Sequence, residues 1–202
     1  MRTNTRRNVR KARKAGLTVR AGSGDDLGTL CSLIEATARR QSFPPYPPAY
    51  YEQMWRSFAP SHAHLLVAER AGAPLSAVLL IAFRDTVIYK IGGWSGHSRE
   101  CRPNELTHWR AIEWAREQGR RWYDLEGIEL AAARALLAGE DPPETPEQGV
   151  NHFKVGFGGQ VTIFPFAYDS SAIPLLAPFV TSLAPHLQRL EPLASRFLGR
   201  RR

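Results

Sequence analysis

The sequence predicts one α/β domain, a mixed central sheet flanked by helices, with a basic helix at its start and a proline-interrupted helical tail at its end. Three observations lead there. Apolar periodicity switches along the chain between strand and helix spacing, giving the order strand, helix, helix, three strands, long helix, strand, strand. The three middle strands are joined by links too short for anything but an antiparallel meander. And 202 residues with 43% hydrophobic content suffice for one ordinary core.

Taken in order, "NTRRNVRKARKAG" (residues 4–16) has helix-forming residues, a thin apolar side at Val9 and Ala12, and a stop at Gly16. "LTVRAG" is a first strand. Asp25 or Asp26 can cap the next helix, which runs to about Arg40 with Leu27, Leu30, Ile34 and Thr37 or Ala38 buried. "FPPYPPAY" (Phe43 to Tyr50) is a proline-rich loop leading to a helix near Tyr50–Phe58. "HLLVAERA", "LSAVLLIAF" and "TVIYKIGGW" are the meander, turning at "RAGAPL" and at Arg84–Asp85. "RPNELTHWRAIEWAREQG" is the long helix, with Pro103 in its first turn, Glu105 favouring that end's dipole, Gly119 closing it, and Leu106, Trp109, Ile112 and Trp114 on its inner side. "RWYDLEGI" is a strand, followed by an Ala-rich segment and a Pro/Glu-rich loop that reads as mobile. "QVTIFPFAY" is the last strand. After Ser171, spaced prolines at 174, 178, 185 and 192 break the tail into short helical turns. The domain reading is therefore residues 1–168, with 169–202 packed on the same body.

Composition narrows the function classes. Cys31 and Cys101 form no CxxC pair, so neither a disulfide framework nor a zinc spacing is expected. Neither a leader with an apolar run nor eighteen consecutive apolar residues is present, so a soluble, cytoplasmic chain, read as a monomer, is expected. The net charge of +8 is polar in its placement. Residues 1–20 hold eight basic side chains and no acid, the last fourteen hold five basics and one acid, and the body between is net acidic. Basic ends on an acidic body suit a polyanion, whose counterions are released on binding, or else form solvated surface.

The order of elements resembles the GNAT acyltransferase fold. An ordinary coenzyme A enzyme of that fold would need a glycine-rich turn presenting backbone N–H groups to a pyrophosphate at the start of the long helix. Here that segment is "GHSRECRPNEL", with a proline that removes a donor and a glutamate where phosphate charge would sit. Coenzyme A is thus a poor fit.

Three segments, "RRNVRKARKAGLTVR", "ELTHWRAIEWAREQGRRWYDLEGI" and "FKVGFGG", in this order within residues 4–168, resemble the second GNAT-like domain of the Fem (FemABX) peptidyltransferases. The resemblance implies transfer of an amino acid from an aminoacyl-tRNA to the amine of a peptide, with no further cofactor. Family members usually carry two such domains. A chain with room for one is similar to the stand-alone alanyl transferases of pacidamycin-type peptide-antibiotic pathways, which implies a small amino acid and a peptide acceptor, free or carried on a carrier protein. A peptidoglycan bridge transferase, a coenzyme A-dependent N-acyltransferase and a non-catalytic RNA-binding half of a larger enzyme stay open.

Within that frame Lys154 is the candidate oxyanion partner. It is one of four lysines against twenty-three arginines, set between Phe153 and Phe157. A desolvated ammonium is a compact point charge, which a planar guanidinium would not replace. Phe153 is placed to stack on the terminal adenine. Gly156, Gly158 and Gly159 allow positive φ and close backbone approach, as a strand bulge beside a ligand requires. Asp124 and Glu126 alternate on "YDLEG", so a strand puts both on one face, to bind the acceptor's ammonium and take its proton, or to pair with Arg120 or Arg121. Tyr89, Trp94, Asn104, Trp109 and Arg110 are acceptor-pocket candidates. Arg6, Arg7, Arg10, Lys11, Arg13 and Lys14 are the tRNA-phosphate candidates. His62 and His64 read as surface residues, so no metal is expected; His152 either serves the donor or is structural.

Overall fold

The apolar runs of the middle of the chain pair as their short links require. In the computed structural model, which describes residues 1–142 and 148–164, one five-stranded sheet runs in chain order: β1 (Thr18–Gly22), β2 (Ala63–Arg70), β3 (Ala73–Phe83), β4 (Thr86–Trp94) and β5 (Trp122–Asp124). β1 to β4 are antiparallel and β5 joins β4 in parallel, so the sheet is mixed. The β2–β3 link is a two-residue turn with Ala71 and Gly72 both at positive φ (49° and 79°), the geometry whose twist matches the strands it joins.

Helices cover both faces. α2 (Leu27–Gln41) and α3 (Pro48–Phe58) bury Leu30, Ile34 and Tyr51 against Leu65, Val67 and Leu79 on one side. α4 (Pro103–Glu117) packs Ala111 and Ala115 on Leu66, Leu80 and Val87 on the other. α1 (Thr3–Lys14) lies outside α4, sealing Val9 and Ala12 against Leu75 and Leu106. α5 (Leu130–Leu137) is formed by the Ala-rich segment, and α6 (Gln148–Gly156) follows. Gly93 fixes how closely α2 meets the sheet, because a Cβ there would lie 2.2 Å from the backbone of Leu33.

Several sequence expectations are corrected. Asp26 stands at the N-cap of α2, but its side chain makes no cap bond to that helix: it reaches back to Ser23 N, while Ser23 Oγ accepts from Asp25 N, in a capping box around a short 3-10 turn. Pro48 starts α3 instead of prolonging the loop. The inner face of α4 is Leu106, Thr107, His108, Ala111 and Ala115, with Trp109, Ile112 and Trp114 half-buried beside it, because small residues let the helix approach the sheet. β5 ends at Asp124 instead of running to Ile128. Residues 153–156 are helical instead of a bulged strand, and residues 160–164 of the expected last strand are not in a strand. The rest of that segment, the core of the Pro/Glu-rich loop and the tail lie outside the described residues.

Gly93→Ala should lower unfolding stability by about 1–3 kcal/mol in a urea titration, since the methyl group meets backbone that cannot turn aside. An unchanged midpoint would refute the close contact.

Candidate active site

The site is built where α6 meets α1 and α4. Phe153 and Phe157 are four apart and share one helical face, and the glycines end the helix: Gly158 and Gly159 take φ of 81° and 107°. Gly156 does different work. A Cβ there would fall 2.4 Å from Thr5 Oγ1, and its carbonyl accepts from Arg2 N at 2.9 Å, so the end of α6 is seated on the start of the basic helix.

Beneath α6 lies His108, which the sequence reading did not single out. It is 3% exposed and boxed by rings: Tyr89 at 4.5 Å, Phe153 at 5.1 Å and Phe157 at 5.8 Å between centroids. Its Nδ1 lies 3.1 Å from the Tyr123 hydroxyl. Burial first, and the Lys154 charge second, push the His108 pKa down to about 3, so the ring is neutral near pH 7. The same burial, with Glu126 adding to it, raises Tyr89 to about 12, and burial with Tyr89 raises Tyr123, so both phenols keep their protons. His108 shares the α4 stripe of Ala111 and Ala115 at i+3 and i+7, the one signal that pointed inward.

Lys154 is half-buried on the rim of this box. Its Nζ donates to the Gly127 carbonyl at 2.6 Å. Burial pulls its pKa below the ordinary 10.5, while Glu126 and Asp124 oppose that shift. An ammonium has three N–H donors, so the bond to Gly127 leaves two for another acceptor.

The two carboxylates stand at the end of β5 and just past it. β5 pairs with β4 only from Thr86–Trp122 to Ile88–Asp124, and beyond it β4 has no strand partner on that edge among the described residues. Asp124 Oδ1 accepts from Glu126 N at 2.7 Å, which turns the chain, with Glu126 at φ 57°, so the two acids do not share a strand face. Both side chains are exposed. Lys90, the extra residue where the β3–β4 register shifts, reaches Glu126 at 2.9 Å, and this bond raises its pKa.

The structure brings together Phe153, Lys154, Gly156, Asp124, Glu126 and Tyr89. It does not bring the other acceptor candidates there. Trp94 lies under the Arg40 guanidinium at 4.6 Å with Nε1 on the His97 carbonyl. Asn104 accepts from Ser76 Oγ at 2.7 Å, and Trp109 packs against the α1 seam. Arg110 is paired with Glu117 at 2.7 Å and faces a separate open hollow of about 410 Å³ over β1 and β2, shared with Ser23, His64 and Trp114. The one cationic side chain of that hollow, Arg110, is already paired with Glu117. His152 is exposed on α6; His62 is exposed, and His64 is half-buried with its pKa lowered, chiefly by burial.

Arg6, Arg7, Arg10, Lys11, Arg13 and Lys14 are all exposed on α1. Arg13 is held by Glu113 at 2.9 Å; among the described residues the other five form no ion pair. At the start of α4, Glu105 bonds Asn8 Nδ2 at 3.0 Å and lies 3.9 Å from Arg102, so this helix end holds its own carboxylate. Among the described residues no group of His, Cys, Asp and Glu is arranged to hold a metal ion, and no helix is long and apolar enough to cross a membrane.

Comparison with known proteins gives the family and the fold. The sequence model of a family described as acetyltransferase (GNAT) domain matches residues 1–137. Among solved structures, FemX is similar with a TM-score of 0.60 at 18% identity, over 63% of this chain and 48% of its own. The chain thus spans about half the length of FemX. An aminoglycoside acetyltransferase from an uncultured soil metagenomic sample, in complex with trehalose, gives 0.52 at 8% identity over 77% and 97%; a second aminoglycoside acetyltransferase, AAC(6')-Iy, bound to a bisubstrate analogue, gives 0.51 at 12% over 77% and 99%. At these identities the likeness is one of fold. No curated protein matches the sequence significantly.

A neutral buried His108 has a pH consequence. Its folded pKa of about 3 is below the unfolded 6.5, so between those values the unfolded chain binds the extra proton. This contribution does not vary with pH above about 6.5, and stability falls as pH drops through the window toward 3. His108→Gln should flatten that acid limb in urea titrations from pH 7 to 4. A limb of unchanged slope would mean that His108 does not carry it.

Proposed function

The chain belongs to the acetyltransferase (GNAT) domain family, and we propose that it is an acyltransferase whose donor is an aminoacyl-tRNA, forming an amide on the free amine of a peptide. The observation that carries the reading is Lys154: a half-buried ammonium beside Phe153, bonded to the Gly127 carbonyl, whose charge helps to keep the buried His108 neutral and is itself favoured by the exposed Asp124 and Glu126. The basic α1 seated on the end of α6 supports a polyanionic donor. The carboxylate at the start of α4 argues against a coenzyme A pyrophosphate there.

In this reading the donor's 3′ end lies along α6, its terminal adenine on Phe153 and its phosphates on Arg6, Arg7, Arg10, Lys11 and Lys14. The acceptor arrives as an ammonium at Asp124 and Glu126, and one carboxylate takes its proton. The freed amine attacks the ester carbonyl, the C–N bond forms, and the carbonyl oxygen becomes an oxyanion that accepts hydrogen bonds from Lys154. Collapse breaks the C–O bond to the ribose, whose oxygen leaves as a hydroxyl carrying the second proton of the attacking nitrogen, while the first passes from the carboxylate to solvent. An activated ester needs little beyond this orientation and charge. Alanine is the amino acid we favour, and a peptide-antibiotic intermediate the acceptor, with a peptidoglycan precursor as the acceptor to compare.

Radiolabelled alanine should pass from charged tRNA to a small peptide amine, and RNase should abolish transfer. Lys154→Met should lower turnover by about 10²-fold or more while tRNA affinity stays near normal. Because Lys154 must be protonated and burial lowers its pKa, the alkaline limb of turnover should fall below pH 10.5. Unchanged turnover in the Met variant would remove the mechanism, and saturable acetyl-CoA binding by calorimetry would favour an ordinary member of the family.

Replacing Arg7, Arg10 and Lys11 by Ala should weaken tRNA binding and reduce its salt slope by roughly 2–3. An unaltered slope would exclude α1 as the RNA surface.

A further inference from the structure

The end of the sheet at which the β3–β4 turn lies carries a second surface with nucleic-acid chemistry. Two turns are locked together there. Arg121 N and Trp122 N both donate to the Asp85 carbonyl, at 2.7 and 3.0 Å, and Arg120 Nη1 donates to the Arg84 carbonyl. The β3–β4 turn is thereby joined to the turn between α4 and β5. Two large rings stand open on this end, Phe83 at 58% and Trp122 at 49% exposure. Each has a guanidinium over it, Arg84 5.6 Å from the Phe83 centroid and Arg121 5.2 Å from that of Trp122. The acid between them, Asp85, accepts from Thr86 Oγ1 at 3.1 Å.

Leaving a tryptophan and a phenylalanine half open opposes the hydrophobic effect, and neither ring is needed to close the core on this side. Exposed rings interleaved with arginines do suit an unpaired nucleic-acid strand, in which bases stack on ring faces and phosphates meet guanidinium groups. A protein partner of ordinary composition would leave three arginines against one acid to be compensated.

We propose that Phe83, Arg84, Arg120, Arg121 and Trp122 form a second RNA-binding surface, which stacks unpaired bases of the donor RNA on Trp122 and Phe83 and holds the adjoining phosphates with the arginines. The assignment rests on the reading of the protein as RNA-dependent. It adds a part of the RNA that α1 and Lys154 do not reach. Stacking on every base's π-face is tolerant of sequence, so this surface recognises unpaired structure and not a base sequence.

The test is fluorescence anisotropy with a labelled tRNA transcript and a labelled single-stranded oligoribonucleotide. Phe83→Ala with Trp122→Ala should weaken both by about 25-fold or more with little change in salt slope, whereas Phe83→Tyr with Trp122→Phe should restore binding to within a few-fold. Arg84→Ala with Arg121→Ala should instead reduce the slope by about 2. A fully paired RNA duplex should be indifferent to the ring variants. Near-normal binding in the double-Ala variant, in a protein whose thermal unfolding is unchanged and whose α1 triple variant still loses affinity, overturns this surface while the RNA-dependent reading stands. A change in sedimentation of the double-Ala variant with RNA binding intact also overturns it, in favour of a contact between copies. No RNA binding by the unmodified protein removes both.

Discussion

Two basic groups in one apolar cluster cannot both be charged, and the site depends on how the fold resolves that conflict. His108 is enclosed by Tyr89, Tyr123, Phe153 and Phe157 and stays neutral, with its Nδ1 on the Tyr123 hydroxyl. Lys154, one layer further out, keeps the charge. If His108 were protonated, the repulsion would fall on Lys154 and on the packing of α6. A neutral imidazole leaves the half-buried ammonium, bonded to the Gly127 carbonyl, as the positive charge of this cluster, and a negative charge beside a half-buried ammonium is stabilised more strongly than in water.

The fold places acids opposite that charge by parting two strands. β5 follows β4 for three residue pairs, and then Asp124 accepts from Glu126 N and turns the chain away. Past the turn, Glu126 is bonded to Lys90 of β4, and the next residue, Gly127, accepts from Lys154 of α6. Because α6 rests on Thr5 and Arg2 of α1, the basic helix and the proposed oxyanion partner form one unit. This links the basic first helix to α6 by contact.

Much of this was legible in the sequence. The meander, the basic helix and the long helix follow from periodicity and short links, because those interactions are local. Lys154 was nominated by its rarity and its neighbours, and the structure adds that it is half-buried with Nζ on the Gly127 carbonyl. The mistakes share a cause. Residues 153–159 carry three glycines and so read as a bulge, although the four-residue spacing of the phenylalanines is helical. Alternation through "YDLEGI" reads as strand to its end, but Asp124 accepts from Glu126 N and, with Glu126 at φ 57°, the chain turns away from β4 after three pairs. On α4 the eye goes to Trp109, Ile112 and Trp114, whereas Ala111, Ala115 and His108 face the sheet because only small side chains allow the helix so close. That His108 meets Phe153, forty-five positions away, is a tertiary fact that no local pattern encodes.

The central claim is that Lys154 acts on the tetrahedral state and not on the bound ester. The most direct measurement compares two stable analogues joining a CCA-terminal oligonucleotide to a short peptide, one with a planar amide and one with a tetrahedral phosphonate anion at the reacting carbon. The account predicts that the phosphonate binds about 10²-fold tighter to the unmodified protein, and that Lys154→Met abolishes the difference while leaving affinity for the planar analogue nearly unchanged. Equal preference for the phosphonate in both proteins would contradict it.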